Sequence, residues 1–147
     1  MGKPITPLVG CDVFVLNHEN KLLLIQRADN GLWALPGGCQ DLGETPKKCA
    51  ERECFEESGL LVKCTDLIGV YSSSCYEYIH YPWKENEFIH LLFVAKIEGG
   101  KETISSETLK VAWFSENEIP KLSDGHNIRI KHGFEYINGK RTTPYFE

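Results

Sequence analysis

Three glutamates lie three and four residues apart within the stretch 37–60, which reads GGCQDLGETPKKCAERECFEESGL. On an α-helix, which turns about 100° per residue, Glu53, Glu56 and Glu57 share one face. Neighbouring carboxylates repel by roughly 0.2–0.5 kcal/mol per pair on an exposed helix, and by more where water is partly excluded. The cluster therefore favours a bound cation, and hard carboxylate oxygens favour Mg²⁺.

Local signals predict the helix that positions these acids, over residues 46–58. Thr45 is a good N-cap, because its hydroxyl can accept a hydrogen bond from a backbone N–H of the first turn. Pro46 suits the first helical position, where its missing N–H costs nothing. Gly59 can end the helix in a left-handed conformation.

Small residues on the acidic face predict that the acids point inward. Pro46, Cys49 and Ala50 fall in the same arc as the three glutamates, and Phe55 lies on the opposite side. A run of charges usually means a solvated face. Such a face would lie opposite the small residues, so we favour a metal site.

The stretch resembles the signature of the Nudix hydrolases. From Gly38 it reads Gly, five residues, Glu44, seven residues, and then RECFEESGL over residues 52–60. The fixed positions of the signature match. Cys54 replaces the usual aliphatic residue but is still a small hydrophobe, and Leu60 conforms to the pattern.

The resemblance covers about residues 8–137, including the lead-in WALPGG. It implies an α/β fold, an α/β/α sandwich with a mixed β-sheet. It also implies Mg²⁺-dependent hydrolysis of a diphosphate linkage in a nucleoside diphosphate linked to another moiety, most closely as in MutT-like nucleotide pyrophosphohydrolases. Hydrolysis of ADP-ribose or of a dinucleoside polyphosphate stays open, and so does a nucleotide-sensing module without catalysis.

The resemblance further implies site roles. Glu53 orients or deprotonates the attacking water, and Glu44 helps to hold the ion or braces the loop. Arg52 lies beside Glu56, beyond reach of the inward centre, and is expected to fix a carboxylate by a salt bridge. The metal ligands, for Mg²⁺ or Mn²⁺ in its place, are Glu53, Glu56, Glu57 and the carbonyl of Gly38. Relatives often recruit one more acid from a distant loop, and the candidates are Glu98, Glu102 and Glu107.

Substrate contacts are predicted from basic and aromatic residues outside the helix. The net charge of −5 gives no general attraction for a polyanion, so phosphates must be met by the metal and by local cations such as Arg27. The segment 72–87 is rich in aromatic residues and is interpreted as a lid or base-stacking surface, the alternative being that its rings cover a sheet edge. The predicted substrate-binding residues are Arg27, Trp33, Tyr76 and Tyr81.

Length and composition bound the remaining possibilities. The 147 residues predict a single domain, with a core over about residues 8–137 and a loose tail from Lys140. No apolar run is long enough to cross a membrane, and the acidic balance argues against duplex nucleic acid as a partner. The six cysteines show no C-x-x-C spacing, which makes a zinc site unlikely. The N-terminal residues show no apolar signal region, which favours reduced thiols in the cytoplasm. We expect a monomer or homodimer with a small-molecule nucleotide as its substrate.

Hydrophobic patterning predicts the elements around the acidic helix. Strands are expected over residues 8–16 and 21–27, paired as a hairpin. A mostly apolar strand is expected at 61–71, with later strands at 88–97 and 111–114. A last helix is expected to start at a cap on Asn127 and to end at Asn138–Gly139.

Overall fold

The structure is a computed structural model that describes residues 6–76 and 86–147. Its strands form two sheets. One sheet has five strands in the order β4-β1-β6-β5-β8, and the other has three in the order β3-β2-β7. The strands are β1 (Leu8–Phe14), β2 (Leu22–Arg27), β3 (Trp33–Ala34), β4 (Gly37–Cys39), β5 (Leu60–Ser72), β6 (Phe88–Gly100), β7 (Thr108–Phe114) and β8 (Tyr145–Phe146).

Two helices cover opposite faces of the five-stranded sheet. Helix α1 is Pro46–Ser58 and helix α2 is His126–Ile137. Cys11 and Val13 of β1 pack in one buried cluster with residues of α1, while Phe14 packs in a second cluster with residues of α2. Side chains of a strand point alternately to its two faces, so the sheet lies between the helices. The predicted α/β/α architecture with a mixed sheet is confirmed, since β1 is parallel to β6 and antiparallel to β4.

The local signals of α1 act as predicted. Thr45 Oγ1 accepts a hydrogen bond from the N–H of Lys48 at 3.2 Å, and Pro46 is the first helical residue. Gly59 adopts φ 79°, and its N–H donates to the carbonyl of Phe55 at 2.9 Å. These caps fix the rotation of the helix, and with it the direction of each acidic side chain.

The predicted hairpin between the first two strands is found only beside the turn, where the N–H of Asn17 donates to the carbonyl of Lys21 and the N–H of Leu23 to that of Val15, each at 3.0 Å. Leu16 bridges Leu22, but β1 then pairs with β4 and β6 while β2 pairs with β3 and β7 in the other sheet. The hydrophobic pattern showed that both segments are strands, but it carries no information on which edges pair. The two strands separate immediately beyond the turn.

The predictions for the C-terminal region need two corrections. Helix α2 begins one residue before Asn127, after Gly125 in a left-handed conformation at φ 84°. The tail is not loose, because Tyr145 pairs in parallel with Gly69 of β5 and Glu147 accepts a hydrogen bond from the N–H of Ser72 at 2.6 Å. A two-residue strand is too short to show a hydrophobic period in the sequence.

Neither helix in the described part of the chain has the length and apolar character needed to cross a membrane.

Candidate active site

A cleft of about 550 Å³ opens where α1, β4, the end of β2 and the loop before β7 meet. It brings together three distant parts of the chain: the acidic helix α1, the strand β4 with its two glycines, and Arg27 at the end of β2. Its lining residues are Arg27, Ala28, Asp29, Gly37, Gly38, Cys39, Glu53, Glu57, Ser106 and Glu107.

The glycine strand β4 lies against the two innermost acids. A Cβ atom added to Gly38 would lie only 2.6 Å from Oε2 of Glu53, so a larger residue there would displace that carboxylate. The N–H of Gly37 donates to Oε1 of Glu57 at 2.7 Å. This packing places the two carboxylates and the backbone of β4 at one wall of the cleft.

Arg52 reaches more of the acids than the sequence indicated. Its guanidinium donates to Glu44 at 2.7 and 3.0 Å, to Glu53 at 2.9 Å and to Glu56 at 3.2 Å. The prediction that Arg52 lies beyond reach of the inward centre is therefore wrong, because the long side chain bends along the helix surface. The expected salt bridge that fixes a carboxylate is found, and it involves three carboxylates, those of Glu44, Glu53 and Glu56.

Glu56 does not point inward as predicted. Its side chain is 54% exposed, whereas that of Glu53 is 15% exposed. Glu56 lies at the rim of the acidic face, where the ion pair with Arg52 holds it. Phe55 is exposed on the far side, as predicted.

Burial and ion pairing shift the acids in opposite directions. Burial raises the pKa of Glu57 well above its usual value, and the nearby Glu53 and Asp12 carboxylates add to this shift. Burial also raises the pKa of Glu53, although Arg52 opposes the shift. Hydrogen bonds from Arg52 and from the backbone N–H of Asp41 lower the pKa of Glu44 to about 2. The hydrogen bonds that Glu53 and Glu57 receive from the protein thus do not fully offset the effect of burial on their charges. A cation in the cleft would stabilise their charged forms.

The donors on the cleft wall fit a hard divalent cation. Glu53 and Glu57 offer carboxylate oxygens beside the backbone of Gly38, which is the chemistry that Mg²⁺ and Mn²⁺ prefer. In residues 6–76 and 86–147, no three His, Cys, Asp or Glu side chains already converge on one point as metal ligands. Arg52 holds Glu53, and the Gly37 N–H holds Glu57, so each acid has a protein partner in this arrangement.

One of the three distant acids reaches the cleft. Glu107 lines it, and the Glu107 carbonyl accepts a hydrogen bond from the N–H of Ala28 at 3.0 Å. Glu102 instead accepts from the Trp113 ring N–H at 3.0 Å, and Glu98 is not among the lining residues. The sequence could not choose among the three, because the choice depends on how the loop before β7 meets β2.

The predicted substrate-binding residues separate in the structure. Arg27 lines the cleft and pairs with Asp29 through two hydrogen bonds of 2.8 and 2.5 Å. Trp33 packs edge-on against Phe114 at a ring distance of 5.0 Å, and Tyr76 donates its hydroxyl to Glu147. Neither ring lines the cleft. The remaining predicted aromatic, Tyr81, lies in 77–85, outside the described residues.

A buried polar cluster behind the cleft was missed. It surrounds a cavity of about 50 Å³ that shares the glycine strand with the cleft. The side chain of Asp12 in β1 is buried and pairs with Arg129. A charged residue within the apolar run of β1 was the available signal. The buried polar members are Asp12, His90, His126 and Arg129.

The fold and the cleft agree with comparisons to known proteins. Residues 6–133 match the NUDIX domain family. A MutT-like protein of Streptomyces ambofaciens is 36% identical over 117 residues, which are 79% of this chain and 70% of that protein. An ADP-ribose pyrophosphatase of Methanocaldococcus jannaschii is 34% identical over 136 residues, which are 90% of this chain and 76% of that protein. The crystal structure of a UDP-X diphosphatase superposes with a TM-score of 0.86 at 22% identity, covering 99% of this chain and 70% of that one.

The family match and the pyrophosphatase relatives define a hydrolase that acts on pyrophosphate bonds of diphosphate-containing nucleotides. The chain belongs to the Nudix family. The resemblance inferred from the acidic stretch is therefore confirmed.

Proposed function

We propose that this protein is a Mg²⁺-dependent pyrophosphohydrolase that cleaves the diphosphate linkage of a nucleoside diphosphate joined to another moiety. The observation that carries the proposal is the cleft itself, which Glu53, Glu57 and Glu107 line together with Arg27 and the glycine strand. Carboxylates and a guanidinium around one space are what a cation and a phosphate require of their neighbours.

The residues that would hold the ion are Glu53, Glu57 and the Gly38 carbonyl, with Glu56 at the rim and Glu107 from the opposite loop. When bound, a divalent ion polarises a phosphate and lowers the pKa of a coordinated water. Mn²⁺ shares the preference for oxygen donors and would substitute.

The other cleft residues bind and orient the substrate. Arg27 carries a guanidinium that can donate to phosphate oxygens, and its pairing with Asp29 through Nε and Nη2 fixes its direction. Burial raises the pKa of Glu53, which suits a group that orients or accepts the proton of an attacking water. Arg52 positions Glu53 and also ties it to Glu44.

The substrate class is proposed from the relatives. A MutT-like activity on a nucleoside triphosphate is our first choice, given the similarity to the Streptomyces protein over most of the chain. Hydrolysis of ADP-ribose is the second candidate, because the methanogen relative matches 90% of this chain. We place the protein in the cytoplasm, in keeping with its six free cysteines, as a monomer or homodimer.

A product-release screen tests the proposal. Purified protein would be incubated with nucleoside triphosphates, ADP-ribose, dinucleoside polyphosphates and nucleotide sugars, each with Mg²⁺ and each with EDTA. We expect turnover of at least one diphosphate-containing substrate that stops in EDTA and returns with Mg²⁺ or Mn²⁺. Full activity in EDTA would overturn the metal dependence. Nucleotide binding without turnover of any substrate in the panel would support a sensing module instead.

A further inference from the structure

We propose that Arg129 and His126 of α2, together with Asp12 of β1, are positioning residues. They act on the cleft wall formed by Glu53, Glu57 and the backbone of β4, which we call the metal-binding wall. They hold the glycine strand β4 from behind, so that the backbone of Gly38 and the carboxylate of Glu57 face the cleft. This inference rests on the proposed metal site. It assigns a part in that site to a helix on the opposite face of the sheet.

The first link joins α2 to β1. The guanidinium of Arg129 donates to Oδ2 of Asp12, and its Nε donates to the carbonyl of Gly125 at 3.0 Å. The two side chains are only 2% and 7% exposed. A buried ion pair has little freedom to rearrange, so Arg129 fixes the Asp12 carboxylate relative to the first turn of α2.

The second link joins β1 to the glycine strand. Asp12 is the register partner of Gly37, and a Cβ atom at Gly37 would collide with Asp12. The N–H of Val13 donates to the carbonyl of Pro36 at 3.0 Å. The path of residues 36–37 is therefore set by the position of Asp12.

The third link reaches the metal-binding wall. The N–H of Gly37 donates to Oε1 of Glu57 at 2.7 Å, and the next residue is Gly38. A shift of Gly37 would move both a proposed ligand carboxylate and a proposed ligand carbonyl. A chain of direct contacts thus runs from α2 through Asp12 to the cleft.

His126 supports the same strand independently. Its Nδ1 accepts a hydrogen bond from the N–H of Leu35 at 3.2 Å, which requires a neutral ring with its proton on Nε2. Leu35 is two residues before Gly37. Side chains from α2 therefore fix the strand at two places, through its backbone at Leu35 and through Asp12 at Gly37.

Stabilisation of the fold does not by itself explain why a buried ion pair joins Asp12 and Arg129. An apolar pair of similar volume often stabilises a core at least as well as a buried ion pair, because both charges lose their hydration. An ion pair does impose one geometry, and here that geometry fixes the strand beside the proposed ligands. Partners that orient metal ligands from behind typically change metal affinity by roughly 10–100-fold when removed.

Matched variants of His126 test the second contact. His126→Asn keeps an acceptor near the Nδ1 position, whereas His126→Leu removes it. We expect the Gly37 amide to exchange faster with solvent in His126→Leu, measured in EDTA by NMR. We also expect Mn²⁺, titrated by electron paramagnetic resonance, to bind roughly 10-fold more weakly to this variant. His126→Asn should restore most of both properties.

The ion pair is tested with both partners changed together. A single change leaves an unpaired buried charge that can unfold the protein, whereas Asp12→Asn with Arg129→Gln removes both charges and keeps a polar side chain at each position. We expect this double variant to fold, to expose the Gly37 amide and to bind Mn²⁺ roughly 10–100-fold more weakly. The control is Glu135→Gln, which breaks the ion pair between Glu135 and Arg141 near the other end of α2. It should leave Mn²⁺ affinity unchanged.

The outcomes separate this inference from the proposed metal site. Unchanged Gly37 exchange and unchanged Mn²⁺ affinity in His126→Leu and in the double variant would overturn the positioning role, even if both variants melt at lower temperature. Failure of the wild type to bind Mn²⁺, or equal binding by Glu57→Gln, would overturn the proposed metal site. The exchange of the Gly37 amide in EDTA would still report whether α2 holds the strand.

Discussion

Without a cation, the burial of a single carboxylate affects the stability of the protein. Glu57 is half-buried in the cleft wall, and burial raises its pKa well above the usual value. In EDTA, Glu57→Gln should therefore stabilise the protein by about 0.5–2 kcal/mol, on the scale of stabilising changes at functional sites. Glutamine still offers an oxygen to the Gly37 N–H. Urea unfolding in EDTA measures the change, and Mg²⁺ should raise the melting temperature of the wild type more than that of the variant.

Glu56→Gln is the matched control for that measurement. Glu56 is exposed and paired with Arg52, so its removal relieves little repulsion. Its effect in EDTA should stay within about 0.5 kcal/mol, as is usual for surface substitutions. If Glu57→Gln were less stable than wild type in EDTA, the acid at this position would not destabilise the folded protein, which would contradict the prediction.

Proton transfer gives a second prediction at the residue scale. Glu53→Gln should lower kcat by roughly 10²-fold or more, because an amide cannot accept a proton from water.

Replacement of a carboxylate by an amide also distinguishes the acids of the loop before β7. Glu107→Gln should lower kcat or metal affinity, whereas Glu102→Gln, whose carboxylate pairs with Trp113, should leave both near wild type. Steady-state kinetics and Mn²⁺ titration of the three variants test this, and equal effects of the two loop variants would contradict the assignment of Glu107.

Buried histidines make stability depend on pH. Burial, together with the nearby Arg129 charge, lowers the pKa of His90 to about 2. In the unfolded chain the ring titrates near 6.5, so below that pH the unfolded state binds a proton that the folded state does not. The His90 contribution to stability should therefore fall as pH drops below 6.5, by about 1.4 kcal/mol per pH unit, and the fall continues until the folded pKa is reached.

His90→Gln isolates this effect. The difference in free energy of unfolding between wild type and variant should shrink or reverse as pH is lowered from 7 to 5. His18→Gln is the control, since the His18 side chain is 91% exposed. Parallel pH profiles of wild type and His90→Gln would contradict a pKa of His90 that is lower in the folded than in the unfolded protein.

At the scale of elements, local signals in the sequence predicted α1 well and strand pairing poorly. A cap such as Thr45, a first-turn proline and a terminal glycine act within a few residues of themselves, so they can be read directly. The pairing of β1 with β4 and β6 depends on long-range contacts. Asp12 of β1 is buried in an ion pair with Arg129, which lies 117 residues later in the chain. The acidic part of the site was therefore predictable and its support from α2 was not.

The glycine strand gives a prediction for an element. Gly38→Ala would force a methyl group against the carboxylate of Glu53, and the carboxylate must then move from its place in the cleft wall. We expect a large loss of Mn²⁺ affinity and of kcat with the fold retained. Gly99→Ala is the control, because a Cβ atom there would meet only Leu61, at an ordinary 3.7 Å. Isothermal titration with Mn²⁺ and far-ultraviolet circular dichroism compare the two, and wild-type affinity in Gly38→Ala would show that the close approach is not needed.

Across the whole molecule, the cleft and the C-terminal strand lie at opposite edges of the larger sheet. Strand β4 is one edge and β8 is the other, with β1, β6 and β5 between them. With about 4.8 Å between neighbouring strands, the two edges are roughly 19 Å apart. Tyr145 of β8 stacks on Tyr71 at a ring distance of 5.3 Å and contacts the His132 ring at 4.6 Å. This aromatic group closes the far edge of the sheet without contributing to the cleft lining.

The separation of the two edges predicts a separation of stability from activity. Tyr145→Ala removes the stacked ring and should lower the free energy of unfolding by about 1–3 kcal/mol, in the usual range for losing a partly buried aromatic contact. Mn²⁺ affinity and kcat/KM, measured well below the melting temperature, should remain within about twofold of wild type, since no link of the contact chain from α2 to β4 passes through β8. Tyr145→Phe keeps the ring and loses only the hydroxyl contact to Glu147, so it should recover most of the stability. Loss of Mn²⁺ affinity in Tyr145→Ala that Tyr145→Phe restores would mean that the far edge of the sheet is coupled to the metal-binding wall.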